Sequence, residues 1–315
     1  MKKAVTFLLF ITLTLSGLLA GCQKPKIDRI AFTTMLDDKQ AIHVINSDGT
    51  NRIKLTGNDT WNINPAWSPD GTKIAFASEG LSGYEIRIKD LAKNRSIQVT
   101  DNGLGNTNPC WSPNGRKLLF TSNQDIYFAV IPKVGAFKAG SITRLTETGN
   151  NTDPRWSPDG KQILFVSTRD GNAEIYRMNS NGSGQTNLTN NPATDQNPVW
   201  SPDGARIVFC TDRDGNDEIY LMTVSGMAPT NLTRNKAADH SPAWSPDGKK
   251  IVFVSARDKN EEIYLVNPRN RTQTRLTITD FPNNWPSWSP DGAEIAFASL
   301  RDQNWEICLM NANGT

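Results

Sequence analysis

A tryptophan-centred motif recurs at a fixed interval along this chain of 315 residues. Each copy resembles WSPDGARIVFCTDRDGNDEIYLM, the segment that begins at Trp200. The spacings between copies are 44, 45, 44, 44 and 44 residues, measured between the anchor tryptophans Trp67, Trp111, Trp156, Trp200, Trp244 and Trp288. A period of this size indicates similar units, each of which must stack on its neighbours to bury its apolar surface.

The residues within one unit predict four short β-strands, which we call A to D. The anchor tryptophan ends strand A, and Ser-Pro-Asp-Gly follows as a type I turn, because proline presets φ and glycine takes a positive φ. Strand B, for example RIVFCT at 206–211, is almost wholly apolar, as expected for a strand that is covered on both faces. Such four-stranded antiparallel sheets, stacked radially with tryptophan between neighbours, form an all-β propeller.

One copy of the motif, PAWSPDGKKIVFVSARDKNEEIYLV at 242–266, resembles the WD40-like PD40 repeat of TolB-type β-propellers. The same repeat is found in the gating propellers of some serine peptidases and in oligogalacturonate lyases. The resemblance extends from about residue 30 to the end of the chain. TolB-type proteins carry a further N-terminal α/β domain, which residues 23–29 are too few to form. The resemblance therefore implies a relative that contains the propeller part only.

The number of strand segments bears on the number of blades. Strand B and strand C segments occur seven times, from 30–34 and 41–45 onwards, whereas strand A and strand D segments occur six times. In TolB-like rings a C-terminal strand A completes the first blade. If six blades closed in this way here, the hairpin at 295–310 would belong to no blade. We therefore predict seven blades over six, with the first blade lacking strand A and the last lacking strand D.

The N-terminus has the layout of an export signal. Two lysines precede an uncharged apolar run, and small residues stand before Cys22. The residues Leu19-Ala20-Gly21-Cys22 resemble a bacterial lipobox, which implies a lipoprotein signal peptide at 1–21, acyl chains on Cys22, a lipidated tether at 22–29 and a propeller at 30–315. Gln23 after the cysteine implies the periplasmic side of the outer membrane. An ordinary secretory signal or a single anchor helix is the alternative.

The charge balance bears on the class of partner. Removing residues 1–21 takes away two of the 34 basic residues and none of the 32 acidic ones, so the mature chain has no formal net charge. Nucleic-acid binding requires a cationic surface, and the sequence therefore predicts no nucleic-acid partner.

A column of amide and carboxylate residues precedes the anchor strands. Strand order places the D-to-A and B-to-C loops on one face of the ring, where these residues would form a collar at the mouth of the channel. The collar residues are Asn62, Asn106, Asn151, Asp195, Asp239 and Asn283. Such a collar could hold the backbone of a peptide or a cation such as calcium, although no obligatory cofactor is predicted. The alternative is that each side chain stabilises a turn that leads into strand A.

Other residues on the same face are candidates for binding. Trp61, Trp285 and Trp305 lie outside the anchor column, where aromatic rings could stack on a sugar or anchor a peptide, or else fill the incomplete seam of the ring. His240 lies among the collar residues. The Arg-Asp pairs that recur in the B-to-C loops, such as Arg213-Asp214, predict ion pairs within or between blades.

The sequence contains few candidate catalytic residues. His43 and His240 are the only histidines, and the chain contains neither a nucleophile-elbow motif nor a zinc-protease motif. We therefore predict a membrane-anchored, non-enzymatic propeller that binds a protein, peptide or glycan of the cell envelope through its channel face. The alternative is a polysaccharide lyase or hydrolase of the oligogalacturonate type, for which the resemblance implies metal-coordinating histidines around the channel.

Overall fold

The computed structural model describes residues 29–36, 39–57, 59–131 and 140–315. All regular structure in these ranges is β-strand, and they contain no helix long and apolar enough to cross a membrane. The predicted signal peptide, the predicted lipidation site Cys22 and the tether up to residue 28 lie outside the described residues. The first strand begins at Arg29, one residue before the predicted start of the propeller.

Twenty-six strands follow the predicted order A to D from blade to blade within the described ranges. Strand A, nearest the axis, is β4 (Asn62–Trp67), β8 (Thr107–Trp111), β12 (Asn151–Trp156), β16 (Asp195–Trp200), β20 (Asp239–Trp244) and β24 (Asn283–Trp288) in blades two to seven. Strand B is β1 (Arg29–Leu36), β5 (Lys73–Gly80), β9 (Lys117–Ser122), β13 (Gln162–Ser167), β17 (Arg206–Thr211), β21 (Ile251–Ser255) and β25 (Glu294–Arg301) in blades one to seven.

The outer strands complete the blades. Strand C is β2 (Lys39–Asn46), β6 (Gly83–Asp90), β10 (Asp125–Val130), β14 (Glu174–Asn179), β18 (Glu218–Thr223), β22 (Glu262–Val266) and β26 (Asn304–Asn311) in blades one to seven. Strand D is β3 (Ile53–Lys54), β7 (Arg95–Gln98), β11 (Ile142–Arg144), β15 (Thr186–Asn187), β19 (Thr230–Asn231) and β23 (Gln273–Arg275) in blades one to six.

The strands form seven separate antiparallel sheets, which confirms the seven-bladed propeller. Blades two to six have four strands each. Among the described residues, the first blade contains strands B, C and D, and the last blade contains strands A, B and C, as predicted. The six-bladed alternative is wrong, because the final hairpin of β25 and β26 pairs with β24 and forms a blade of its own.

The Ser-Pro-Asp-Gly turns connect strands A and B in a geometry that their residue types dictate. In blade four, Ser157 Oγ donates to Asp159 Oδ1 at 2.6 Å and accepts from the backbone N–H of Gln162 at 2.9 Å. Gly160 has a φ of +69°, and a Cβ there would lie 3.4 Å from Pro113 of the preceding blade. The turn therefore requires glycine for its backbone conformation and packs against the turn beside it.

The core consists of the spaces between successive sheets. The phenylalanines at the centre of strand B are fully buried, as in Phe120, Phe165, Phe209 and Phe253. The six anchor tryptophans are 3–8% exposed, and each packs in one cluster with apolar residues of the preceding blade. Trp111 Nε1 also donates to the carbonyl oxygen of Ala66 at 3.1 Å. Each anchor tryptophan therefore joins two blades through apolar contact, and some do so through a hydrogen bond as well.

The ring closes where the first blade packs on the last. Since blade one has no described strand A, this seam has no anchor tryptophan. Ile30 and Phe32 of blade one form a buried cluster with Ala296 and Ala298 of blade seven. Two tryptophans of blade seven and an isoleucine from each of these blades pack against that cluster, namely Trp285, Trp305, Ile45 and Ile307. Aromatic side chains from other positions thus fill the space that an anchor tryptophan fills elsewhere.

Trp285 takes an unusual backbone conformation to reach the seam. Its φ is +51°, in the left-handed region that bulky side chains rarely adopt. Asparagine, aspartate or serine occupies the equivalent bulge position in every other complete strand A, as Asn64, Asn108, Asp153, Asn197 and Ser241. The Trp285 and Trp305 rings lie 4.9 Å apart between centroids. We infer that packing of this aromatic pair offsets a backbone strain of about 1–2 kcal/mol.

His43 makes the stability of the first blade dependent on pH. Burial, together with the charges of Arg52 and Lys54, lowers the pKa of His43 from 6.5 to about 4. Between these values the unfolded chain binds a proton that the folded chain does not, so the free energy of unfolding falls as the pH falls from 6.5 towards 4. We expect a loss of about 2 kcal/mol at pH 5 relative to pH 7 from this group.

Urea unfolding of the wild type and of His43→Asn at pH 7 and pH 5 measures this effect. The wild type should lose more stability than the variant between the two pH values, because His43→Asn removes the titrating group. An equal loss in the two proteins would show that His43 is not responsible.

Candidate functional site

A cavity of about 380 Å³ lies on the axis of the ring, at the face that carries the Ser-Pro-Asp-Gly turns. Its described wall is formed by the ends of strand A and by the turns that follow, in blades two to seven. None of the residues that the sequence predicts for binding lines this cavity, so the cavity is a further candidate site. The volume is in the range of small-ligand pockets.

Three columns of the repeat supply most of the lining. The first is the residue before each anchor tryptophan, which is Ala66, Cys110, Arg155, Val199, Ala243 and Ser287. The second is the anchor tryptophans themselves. The third is the turn prolines Pro69, Pro113, Pro158, Pro202, Pro246 and Pro290. The wall is therefore mainly apolar and aromatic, with serine hydroxyl groups as its neutral polar side chains.

Arg155 is the charged residue in this wall. Its side chain is exposed, and the part of the chain that the structure describes provides no ion-pair partner for it. Cys110 of the preceding blade also lines the cavity, and burial raises the pKa of its thiol. Cys110 is therefore a protonated, weakly polar neighbour, and the guanidinium of Arg155 is a cation at an otherwise uncharged surface.

The predicted collar residues lie elsewhere and are buried, with at most 2% of each residue exposed. They are Asn62, Asn106, Asn151, Asp195, Asp239 and Asn283. They do not form the exposed collar that was expected, because buried amides and carboxylates require partners and find them inside the protein. Asn106 Nδ2, for example, donates to Glu85 Oε2 at 2.9 Å and to Asn102 Oδ1 at 2.7 Å. Binding of calcium or of a partner by this column stays a prediction.

The hydrogen bonds of the four asparagines among these residues connect successive blades. Glu262 begins strand C of blade six and accepts hydrogen bonds from the Thr277 hydroxyl, from the Thr279 backbone N–H at 2.8 Å and from Asn283 Nδ2 of blade seven at 2.9 Å. Equivalent networks surround Glu85 and Asp125. The recurrent acidic residue at the start of strand C therefore organises the loop that leads to the next blade.

Two of the four arginines in the B-to-C loops, Arg213 and Arg257, make ion pairs as the sequence predicts. Arg213 lies 3.0 Å from Asp195, and Arg257 lies 2.9 Å from Asp239, in each case within one blade. The aspartate that follows the arginine accepts a hydrogen bond from a tyrosine hydroxyl in three of these loops, as Asp214 does from Tyr220. Both residues of the Arg-Asp motif therefore have structural partners.

The candidate tryptophans separate into two places. Trp285 and Trp305 are partly buried together at the seam, in agreement with the seam-filling interpretation. Trp61 lies at blade two, where Lys39 Nζ of blade one is 5.6 Å from its ring centroid and its backbone N–H donates to Glu79 at 3.2 Å. The structure therefore does not bring the three rings into one aromatic platform.

His240 has two side-chain neighbours. Its Nδ1 lies 3.0 Å from Ser241 Oγ, and its Nε2 lies 3.3 Å from Glu261 Oε1. Glu261 also accepts a hydrogen bond from Asn284 of the next blade. In the described part of the chain, no group of three or more histidine, cysteine, aspartate or glutamate side chains is arranged to hold a metal ion. His240 is therefore paired with a carboxylate, outside the central cavity.

Comparisons with known proteins place this ring among TolB-type propellers. Over 67 residues the chain is 37% identical to the Tol-Pal system protein TolB of Desulfosudis oleivorans, a match that covers 21% of this chain and 15% of that protein. TolB from Acinetobacter baumannii has a similar structure, with a TM-score of 0.62 at 22% identity over 92% of this chain and 63% of that one. An oligogalacturonate lyase in complex with manganese gives a TM-score of 0.74 at 16% identity over 96% and 90%.

The two structural similarities, at such low identity, show a shared propeller fold. Sequence assigns the family more specifically, since the model of the TolB β-propeller domain, PD40, matches residues 27–211 and 183–315. These two ranges together contain all seven blades. The chain therefore belongs to the PD40 family of TolB β-propeller domains.

Proposed function

We propose that this protein is a membrane-anchored, non-enzymatic binding module of the cell envelope, which takes part of a protein, peptide or glycan into its central cavity. The observation that carries the proposal is the open cavity on the axis, lined by tryptophan and proline. A concave, mainly apolar wall with a few polar groups is the usual form of a ligand-binding site. Similarity to a Tol-Pal system protein supports a place in the envelope.

The proposed anchor is Cys22, acylated after removal of residues 1–21, and the proposed location is the periplasmic side of the outer membrane. The lipobox-like sequence Leu19-Ala20-Gly21-Cys22 and the following Gln23 support both parts of this proposal. Two or more acyl chains would hold the ring firmly to a bilayer, because each buried methylene contributes about 0.8 kcal/mol.

Capture from detergent-solubilised envelopes tests the binding function. The full-length protein should retain an envelope component, identified by mass spectrometry, and the cavity-filling variants Val199→Trp and Ala243→Trp should lose it. Both positions line the cavity and are partly exposed. Leu104→Trp is the matched control, because Leu104 is 46% exposed and lies outside the cavity lining. Equal capture by all four proteins, at equal stability, would contradict binding through the cavity.

A second candidate is a polysaccharide lyase or hydrolase. The contact of His240 with Glu261 and Ser241, in a ring that shares its fold with an oligogalacturonate lyase, is the observation that favours it. A histidine paired with a carboxylate can serve as a general base. Cleavage of uronate polymers by the wild type, abolished in His240→Ala, would support this candidate over the binding module.

A further inference from the structure

We propose that the central cavity recognises the C-terminal end of a peptide, with the free carboxylate of that peptide paired to Arg155. This inference rests on the proposed function, because it names the chemistry of the ligand in the same cavity. Three features of the described wall carry it: the charge of Arg155, the distribution of charge around the rim, and the scarcity of polar groups.

The first feature is the unpaired cation. Arg213 and Arg257 have carboxylate partners, whereas Arg155 has none in the described ranges. A guanidinium group presents two parallel N–H donors to a carboxylate, which adds geometric specificity to the attraction between the charges. The equivalent positions in the neighbouring blades are Cys110 and Val199, so no carboxylate of this column competes for Arg155.

The second feature is the rim. In five of the six A-to-B turns an aspartate directly follows the proline that lines the cavity, at Asp70, Asp159, Asp203, Asp247 and Asp291. Hydrogen bonds from Ser157 and Ser201 hold the pKa values of Asp159 and Asp203 below the usual range, so both carboxylates are ionised at neutral pH.

Blade three has no aspartate in its A-to-B turn. Its turn carries Asn114 in place of aspartate, followed by Arg116. Blade three is also the neighbour of Arg155. An anion therefore meets the least repulsion on the side where it can reach the guanidinium.

A groove leads away from the cavity at the same place. It measures about 400 Å³, shares Pro69, Trp111 and Pro113 with the cavity, and contains Lys73 and Arg116 beside Asp70. A chain that enters with its end on Arg155 would leave along this groove, between the turns of blades two and three. The continuity of the two spaces suits an extended segment better than a compact ligand.

The third feature is the wall itself. A glycan requires many directed hydrogen bonds for its hydroxyl groups, whereas the described lining offers serine hydroxyls and one arginine among tryptophan, proline and alanine. Apolar side chains of a peptide match such a wall, and a volume of about 380 Å³ accommodates two or three residues. The carboxylate of the peptide would bind Arg155, and the last side chains of the peptide would pack against the tryptophan and proline rings of the wall.

Titration with short peptides tests the assignment. The probes are acetyl-Leu-Pro-Phe as the free acid and the same peptide as the C-terminal amide, and binding is followed by calorimetry with the full-length protein. The acid should bind about tenfold more tightly than the amide, because the amide lacks the charge that Arg155 recognises. Arg155→Gln should remove this preference, and Arg155→Lys should retain part of it.

Arg269→Gln is the matched control. Arg269 is exposed in the C-to-D turn between β22 and β23, outside the cavity lining, so that variant removes the same charge and should keep the full preference. Equal binding of acid and amide to the wild type, no binding of either, or a preference that survives in Arg155→Gln would overturn the proposal. The capture experiment does not depend on these peptides, and retention of an envelope component by the wild type would then leave the binding function intact.

Discussion

Trp200→Ala should lower the free energy of unfolding by about 3–5 kcal/mol, the range for removing a large aromatic side chain from a core. Trp200 is 7% exposed and packs between blades four and five, against Leu164 and Ile175 on one side and Ile207 on the other. Its Nε1 donates to the carbonyl oxygen of Arg155 at 3.3 Å. The variant loses both the apolar contact and this hydrogen bond. Urea unfolding followed by far-ultraviolet circular dichroism measures the change.

Trp61→Ala is the control for that experiment. It removes the same side chain from a loop position that is only partly buried, where the ring contacts Lys39 rather than the space between two sheets. We expect a loss of about 1 kcal/mol or less, as for most substitutions outside the core. Similar losses in the two variants would contradict the distinction between anchor and loop tryptophans.

Arg213→Ala should cost about 3–5 kcal/mol, because it leaves a buried carboxylate without its cation. The side chain of Asp195 is fully buried, and Arg213 Nη2 lies 3.0 Å from Asp195 Oδ1. The remaining contact of Asp195, a hydrogen bond from Asn191 Nδ2 at 2.8 Å, does not compensate a negative charge. The same denaturation measurement checks this prediction.

The double variant Asp195→Asn/Arg213→Ala is the matched control. It copies blade three, which has Asn106 at the position of Asp195 and no arginine in its short B-to-C loop. Since the buried charge is removed together with its partner, most of the lost stability should return. A double variant as unstable as Arg213→Ala would show that packing of the arginine over Tyr220, at 4.7 Å from the ring centroid, accounts for the effect instead.

The fold could be predicted from the sequence because the same strand-and-turn motif occurs six times along the chain. A fixed spacing of the anchor tryptophans, a proline-glycine turn after each and an apolar strand B together specify one unit, and one unit of this kind requires neighbours. Counting strand segments then gave the blade number and the two incomplete blades. The way the seam is filled was left open, because the left-handed backbone that turns Trp285 towards Trp305 has no signature in a strand pattern.

The site was harder to predict because spacing does not reveal the direction of a side chain. The column from Asn62 to Asn283 suggested a collar, yet its asparagines donate hydrogen bonds to the preceding blade and its aspartates pair with arginines of their own blade. The cavity is lined instead by the residue before each anchor tryptophan, a column that varies from alanine to arginine. Comparing the six copies at that position would have singled out Arg155 as its charged member.

Cross-linking across the seam tests most directly whether the seven sheets close into a ring. Ile45 of blade one and Ile307 of blade seven pack against one buried cluster although 262 positions separate them in the chain. In a protein without its native cysteines, Ile45→Cys/Ile307→Cys should be joined within one molecule by a short bismaleimide. The pair Ile45→Cys/Leu221→Cys, on blades one and five, should not. Absence of the first cross-link, or equal yields from both pairs, would contradict the closed ring.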